Sequence, residues 1–367
     1  MKIICNGTEL SDALNKVVKA MPVKKTLPIL EGINLKTDGD ILVISATDLN
    51  LYIQKRINAD VLIDGEIVVP GKFCSEFIRK INCDQITLDA TDDAKLKISY
   101  GENETFVNLL NVDEFPPFEM ASEDATFNMK KKDMKELVNK VSFAVATDDS
   151  RPMLKGCCLD LTKNLVTAVA SDGYRLALVN KSIDYNGGDI KIIIPQRAIV
   201  EIVKLLDDDE DFVKVNIDKN MITLDMFHTK IATKLIVGDY INYRRIIPTA
   251  FESEISVEKN AFDQGIERAG IISREGNNTV ILDVKEDVLT IDSKSEIGTI
   301  KENIKIKLEG KDIKIGFNVK YISDCLKNIS DEFISINCNS PSVPVIIKQV
   351  DPDKLDYLFL VLPVRIQ

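Results

Sequence analysis

Leu27-Pro28-Ile29-Leu30-Glu31-Gly32, with Ser45-Ala46-Thr47-Asp48 behind it, returns later in the chain as Arg151-Pro152-Met153-Leu154-Lys155-Gly156, with Ala170-Ser171-Asp172 behind it. Leu30 to Asp48 and Leu154 to Asp172 each span 18 residues, and the two blocks lie 124 residues apart. A weaker third copy, Leu289-Thr290-Ile291-Asp292-Ser293-Lys294-Ser295, matches Leu42 to Asp48 at an offset of 247. A period of about 123 residues is too long for a solenoid repeat and reads as a domain present three times.

Working outward, a short helix follows each block. Its apolar residues are Cys74, Phe77, Ile78 and Ile81 in the first copy, and Ile199, Ile202, Val203 and Leu206 in the second. In the third they are Ile322, Cys325, Leu326 and Ile329. The spacing 0, 3, 4, 7 is one face of an α-helix. Each copy also has an earlier helical stretch: Leu10, Ala13, Leu14, Val17 and Met21; Met134, Leu137, Val138 and Val141; Phe262, Ile266 and Ala269. Short runs such as Ile41-Leu42-Val43-Ile44 and Val213-Lys214-Val215-Asn216-Ile217 read as strands of half-buried antiparallel sheet. The copies end at Phe115-Pro116-Pro117, Tyr240 to Pro248 and Leu360-Val361-Leu362-Pro363, with acidic, small-residue junctions near 121–127 and 249–255. The expected class is α+β: three domains, over 1–121, 128–249 and 252–367, each with two helices packed on antiparallel sheets of roughly eight strands.

The 367 residues, 45% of them hydrophobic, are ample for a buried core and too many for one ordinary core. No run of 18 apolar residues is present, and Met1-Lys2-Ile3-Ile4-Cys5-Asn6 has no signal-peptide character, so a cytoplasmic protein with no membrane partner is expected. Seven cysteines (5, 74, 83, 157, 158, 325, 338) show no metal or disulfide spacing and read as reduced, small apolar residues. The one histidine, His228, has neither ligand-spaced neighbours nor a nucleophile motif and reads as a strand surface residue. No metal or other cofactor is called for.

The net charge of −11 argues on its face against a nucleic-acid partner. The distribution argues otherwise. Two before and five after the first apolar anchor of the second helix stand Lys72 and Arg79, Arg197 and Lys204, Lys320 and Lys327. At 100° per residue these sites point about 150° away from the apolar stripe. Granting one chance in three per surface site, six of six is roughly one in seven hundred. A polar helix face often carries lysine, but this recurrence reads as a shared basic surface without base-reading motifs, suited to phosphate contact independent of sequence. The acidic excess sits elsewhere, as in the run Asp207 to Asp211, read as a solvated turn.

Four motifs in order carry a family resemblance along the whole chain. They are Ser150-Arg151-Pro152-Met153-Leu154-Lys155-Gly156, Ala170-Ser171-Asp172-Gly173-Tyr174-Arg175-Leu176-Ala177, Tyr243-Arg244-Arg245-Ile246-Ile247-Pro248 and Leu362-Pro363-Val364-Arg365-Ile366. The chain resembles the beta sliding clamps of bacterial DNA polymerase III. The resemblance implies a non-catalytic processivity factor: a head-to-tail homodimer closing a six-domain ring around double-stranded DNA, helices inside and sheets outside. Twelve helices at about 10 Å spacing would leave a hole of about 28 Å, wide enough for a duplex. Implied partners are a clamp loader, the replicative polymerase, and repair or translesion proteins carrying clamp-binding peptides, on the nucleoid in the cytoplasm.

The resemblance also implies one peptide pocket per chain. The matching positions are Leu154, Ser171, Gly173, Tyr174, Arg175, Leu176, Arg245 and Ile246, then Asn318, Tyr321, Val343, Pro344, Val361, Leu362, Pro363, Val364 and Arg365. Read alone, the aliphatic members are ordinary core; as a pocket they would be walls, with Arg175 and Arg245 at hand for acidic or backbone groups. Tyr174 stands where the family often has His, Leu362 where Met is frequent, and Gln367 extends the usual end by one. Lys24 and Lys25 match a basic DNA-touching loop, although a solvated turn carries such a pair as readily. Two other readings compete. A carboxylate hydrolase would use Asp48 and Asp172, but these more readily cap turns, and the third copy has Ser295 there. A scaffold without DNA would favour a neutral or acidic helix face.

Overall fold

A computed structural model describes residues 1–24, 27–92, 94–206, 211–351 and 356–366. Each third of the chain holds two α-helices and, among the described residues, eight strands. The helices are α1 (Gly7–Val17), α2 (Gly71–Ile78), α3 (Lys131–Ser142), α4 (Gln196–Leu205), α5 (Lys259–Arg274) and α6 (Val319–Leu326). In the first helix of each copy the apolar face read from spacing is the buried one, whereas Phe77, Ile81 and Val203 of the second-helix stretches are half-buried. Leu10, Ala13, Leu14, Val17 and Met21 are buried on α1 and just beyond it, as are Met134, Leu137, Val138 and Val141 on α3, and Phe262, Ile266 and Ala269 on α5. Local chemistry sets the starts: Asn6 Oδ1 accepts the N–H groups of Thr8 and Glu9, and Glu258 accepts those of Asn260 and Ala261. The 0, 3, 4, 7 pattern overruns the second helices, since Ile81, Leu206 and Ile329 fall just past their last residues. Ile81 and Ile329 continue the apolar stripe through tight turns, donating to the carbonyls of Ile78 and Leu326.

The chain divides into two compact units, Met1–Met134 with Val200–Leu235, and Lys135–Ile199 with Ile236–Gln367. Each unit holds a sheet of 12 strands that joins strands from neighbouring copies. In the first, Leu51–Ile63 pairs antiparallel with Thr229–Lys234. In the second, Arg175–Ser182 pairs antiparallel with Tyr357–Val361. Phe212–Ile217 alternates as expected, with Val213, Val215 and Ile217 buried and Lys214 exposed. Ile41–Thr47 departs from the half-buried expectation: Leu42, Val43 and Ile44 are all buried. An unbroken apolar run has no polar face to give to water, and the fold covers it on both sides. The stretches read as junctions are shorter than expected, because strands Ala125–Lys130 and Ser253–Glu258 begin inside them.

Of the seven cysteines, all free thiols, six are buried and Cys83 is half-buried, its Sγ donating to Gln85 O. Burial pushes the thiols of Cys5 and Cys74 up to about 12 and that of Cys338 up to about 11, so they behave as small apolar side chains. His228 lies in the exposed turn between Met221–Asp225 and Thr229–Lys234, not on a strand as expected. The left-handed φ of 66° at Phe227 turns the chain back between these two strands.

Gly32 and Gly156, the last residues of the two Pro-containing blocks, hold equivalent places. Each opens a strand and pairs with a proline, Pro70 and Pro195, at the end of the strand before the second helix. A Cβ at Gly32 would come within 2.4 Å of Val68 Cγ1, and one at Gly156 within 2.4 Å of the Ile194 carbonyl. Backbone cannot step aside as a side chain can. Gly156→Ala is therefore expected to cost about 1–3 kcal/mol and lower the thermal unfolding temperature. Gly188→Ala, whose Cβ would meet nothing within 4 Å, should stay within about 0.5 kcal/mol of wild type. An unchanged melt for Gly156→Ala would remove the close-approach argument.

Candidate functional sites

The basic positions of the second helices are where the periodicity put them. Lys72, Arg79, Lys204, Lys320 and Lys327 are exposed, and Arg197 is half-buried. Lys72 and Arg79 frame α2, and Lys320 and Lys327 frame α6, with Asn318 Oδ1 capping α6 through the Lys320 N–H at 3.0 Å. On α4 the face is not purely basic, since Lys204 Nζ lies 3.0 Å from Glu201 Oε1. Lys24 is exposed, and Lys25 lies outside the described residues, as do Asp207 to Glu210 and Gln367.

The second unit gathers the other residues at the sheet joint. Leu362 N–H donates to the Tyr174 carbonyl at 2.9 Å, and Val364 N–H donates to the Gly316 carbonyl at 2.8 Å. The C-terminal tail is thereby tied to the 171–175 turn and to the strand that leads into α6. Leu154, Leu176, Tyr243 and Leu360 form one buried apolar cluster, with Met153 and Leu362 packed against it from the half-buried side. Val361 is fully buried; Gly173, Asn318, Tyr321, Val343, Pro344, Pro363 and Val364 are half-buried; Tyr174, Arg245, Ile246 and Arg365 are exposed. A small cleft beside Leu154 and Gly173 is also lined by Ala146, Ser150, Arg151 and Tyr174.

Asp48 and Asp172 are turn residues in both copies. Asp172 Oδ1 accepts the N–H groups of Tyr174 and Arg175 at 2.9 and 3.0 Å, and Asp48 Oδ1 accepts those of Asn50 and Leu51 at 3.0 and 2.8 Å. Ser171 Oγ donates to the Arg175 carbonyl at 2.8 Å, closing the turn from the other side.

Arg175 differs from its expected role. Only 6% exposed, it is a keystone and does not stand open to a ligand. Its Nε donates to Asp172 Oδ2 at 3.0 Å, Nη1 to Asp324 Oδ2 at 2.6 Å and Nη2 to the Phe143 carbonyl at 2.7 Å. The guanidinium carbon lies 5.2 Å from the Phe143 ring centre and 4.8 Å from that of Tyr321. Tyr321 stacks in turn on Tyr174, centroids 6.2 Å apart and planes within 20°. Burial, with Asp172 nearby, raises the Tyr321 hydroxyl above its ordinary pKa, so it stays neutral. Arg245 does stand open, with no ion pair among the described residues.

The turn carrying Arg245 is anchored by its neighbours in the motif, Tyr243 and Arg244, to which the sequence assigned no role. Tyr243 OH donates to the buried Asp160 Oδ2 at 2.6 Å, and Arg244 Nη2 donates to the same oxygen at 3.0 Å. A polar residue amid Cys157-Cys158-Leu159-Asp160-Leu161 was the available signal, because a buried carboxylate needs partners.

Arg175→Met keeps the bulk but leaves Asp172 and Asp324 without their cation. It should lose about 3–5 kcal/mol in urea unfolding, with Arg175→Lys recovering only part because the fork geometry is gone. Equal stability of Arg175→Met and wild type would contradict the keystone assignment.

Among the described residues no helix is long and apolar enough to cross a membrane, and no cluster of His, Cys, Asp or Glu is suited to hold a metal. Comparison with known proteins covers the whole length. Residues 1–119, 128–242 and 244–365 match, in turn, the N-terminal, central and C-terminal domains of the DNA polymerase III beta subunit. The beta sliding clamp of Staphylococcus aureus is 28% identical over 363 residues, 96% of either chain, and that of Staphylococcus epidermidis is equally similar. The DNA polymerase sliding clamp of Bacillus subtilis superposes over 100% of both chains with a TM-score of 0.96 at 27% identity. The beta subunit of Thermotoga maritima does so with 0.92 at 28%. Three matching domain models in order, together with two helices and eight strands among the described residues of each third, show that the chain belongs to the beta sliding clamps, the non-catalytic processivity subunits of DNA polymerase III.

Proposed function

We propose that two copies of this chain close a six-domain ring on duplex DNA and hold the replicative polymerase there without reading sequence. The domains would span 1–121, 128–249 and 252–367. Lys72, Arg79, Arg197, Lys204, Lys320 and Lys327 would line the hole, joined by Lys24 and Lys25 at a loop. The observation that carries this reading is the basic pair recurring on α2, α4 and α6, opposite a buried apolar stripe each time. Contacts of that kind are wet and non-specific. Retention then comes from topology, and the ring stays free to slide. The acidic excess elsewhere on the chain repels DNA and discourages non-productive sticking.

The partner pocket of this reading comprises Leu154, Ser171, Gly173, Tyr174, Arg175, Leu176, Arg245, Ile246, Asn318, Tyr321, Val343, Pro344 and the tail Val361 to Arg365. Apolar packing around Leu154, Leu176 and Leu362 supports it, as does the open Arg245 at the rim. Polymerases, repair and translesion proteins and the clamp loader would compete for it through short peptides, with the protein at work on the nucleoid. Dimer closure is supported by an unprotected edge. Strand Asn103–Asn108 ends the sheet of the first unit, and Phe106 on it is 56% exposed. An edge with an exposed aromatic, covered among the described residues only by the Lys97 ammonium 5.8 Å from its ring centre, calls for another strand to cover it.

The wild-type chain should elute from gel filtration as a dimer and Phe106→Asp as a monomer; a dimeric Phe106→Asp would refute this edge as the closure surface. Loaded on nicked circular DNA, the ring should be lost once the circle is linearised. Retention on linear ends in moderate salt would sink the topological account. Leu362→Ala with Arg365→Ala should abolish partner-peptide binding in fluorescence anisotropy while leaving the dimer intact, and unchanged affinity would contradict the pocket.

A further inference from the structure

The dipeptide Asn-Gly occurs twice in the chain, as Asn6-Gly7 and Asn186-Gly187. A glycine after asparagine is a chemical hazard, because no side chain shields its backbone nitrogen from the amide carbon of the asparagine. The fold disarms one of the two. Asn6 caps α1, its Oδ1 accepting the N–H groups of Thr8 at 2.9 Å and Glu9 at 3.0 Å. Gly7 N–H donates to the Asp84 carbonyl at 3.0 Å, and a Cβ on Gly7 would come within 2.2 Å of the Cys83 carbonyl oxygen. The nitrogen that would attack and the amide that would be attacked are both held, each by a different partner. Each such bond shifts a local opening by about fivefold, so releasing all three slows the reaction about a hundredfold.

The second Asn-Gly has no such restraint. Asn186 and Gly187 are exposed, in the loop that joins Arg175–Ser182 to Ile190–Pro195. Among the described residues no hydrogen bond engages the Asn186 side chain or the Gly187 N–H. Gly187 has no left-handed φ and is glycine for want of room: a Cβ there would lie 2.3 Å from the Tyr185 hydroxyl. That hydroxyl, on a buried ring, donates to the Gly188 carbonyl at 2.8 Å. Packing thus demands a glycine directly behind an unrestrained asparagine. The Tyr185 carbonyl also accepts the Asn164 N–H at 3.0 Å, so the base of the loop is fixed while its crest is open.

We propose that Asn186 is a self-modifying site, which loses its amide in the folded chain without an enzyme, whereas Asn6 keeps its own. The Gly187 nitrogen gives its proton to hydroxide and bonds to Cγ of Asn186. The side-chain nitrogen leaves as ammonia, its extra proton drawn from water, and a cyclic imide remains. Water then opens the imide at either carbonyl, giving an aspartyl or an isoaspartyl residue. The net change is one water consumed and one ammonia released, and a neutral side chain has become an acid. A carboxylate is thereby added to a loop that already bears the exposed Asp184 and Asp189. In the isoaspartyl product the main chain is also one carbon longer between Tyr185 and Gly188, which displaces the hydroxyl–carbonyl bond that closes the loop. The site lies at the other end of Arg175–Ser182 from the 171–175 turn, and its product accumulates with the age of the molecule.

The test uses the full-length protein aged at mildly alkaline pH, folded and in urea, with both dipeptides followed by peptide mass mapping. In the folded chain Asn186 should convert at least about tenfold faster than Asn6, and in urea the two should convert alike, since the three bonds at Asn6 and Gly7 are gone. Equal rates in the folded chain, or an Asn186 that survives folded ageing while urea converts it, would overturn the proposal. Hydroxylamine, which cleaves the chain at the imide, gives an independent reading. The folded protein should yield fragments 1–186 and 187–367, and the unfolded protein should be cut after Asn6 as well. A folded chain that resists hydroxylamine, or that is cut first after Asn6, would equally refute it.

Discussion

Backbone hydrogen bonds join one copy of the repeat to the next, and the rest of the molecule is hung on that joint. Leu51–Ile63 runs beside Thr229–Lys234, and Arg175–Ser182 beside Tyr357–Val361, so that strands distant in sequence share one sheet. A ladder of main-chain N–H and C=O groups is indifferent to which side chains it carries. Copies held in this way are free to differ above and below the sheet, provided each keeps an apolar inner face. The 171–175 turn and the 361–364 tail meet because their strands are neighbours in such a ladder. What they hold in common is position; what they do there is set by substitution.

That separation explains how far the sequence could be read. Helical faces were legible because a 3.6-residue period survives divergence: Met134, Leu137, Val138 and Val141 needed no tertiary knowledge to be placed inside. The basic sites followed from the same period, read on the opposite side. Strand content was legible from alternation in Val213 to Ile217, and less so in Ile41 to Ile44, where continuous burial erases the period. The pairing of strands between copies was not legible, because no local pattern encodes a partner more than a hundred residues away.

The candidate pocket shows the same boundary at the level of single residues. Arg175 reads as an open guanidinium until Asp324, 149 positions later, and Phe143 close around it. Motif resemblance gave its address, and only tertiary structure gave its role as a support. The pairing of Tyr243 with Asp160 was not legible for a related reason, since a tyrosine in a turn and an aspartate in a strand become a pair only when folded.

The distribution of sulfur has a practical side. Six thiols are buried, where they stay protonated and out of reach of alkylating reagents. Cys83, half-buried in the loop after α2, is the one that touches solvent. A maleimide fluorophore added to the unaltered chain would accordingly attach at a single address, beside a helix flanked by Lys72 and Arg79. Motion along a nucleic acid could then be followed optically without first stripping the protein of its other cysteines.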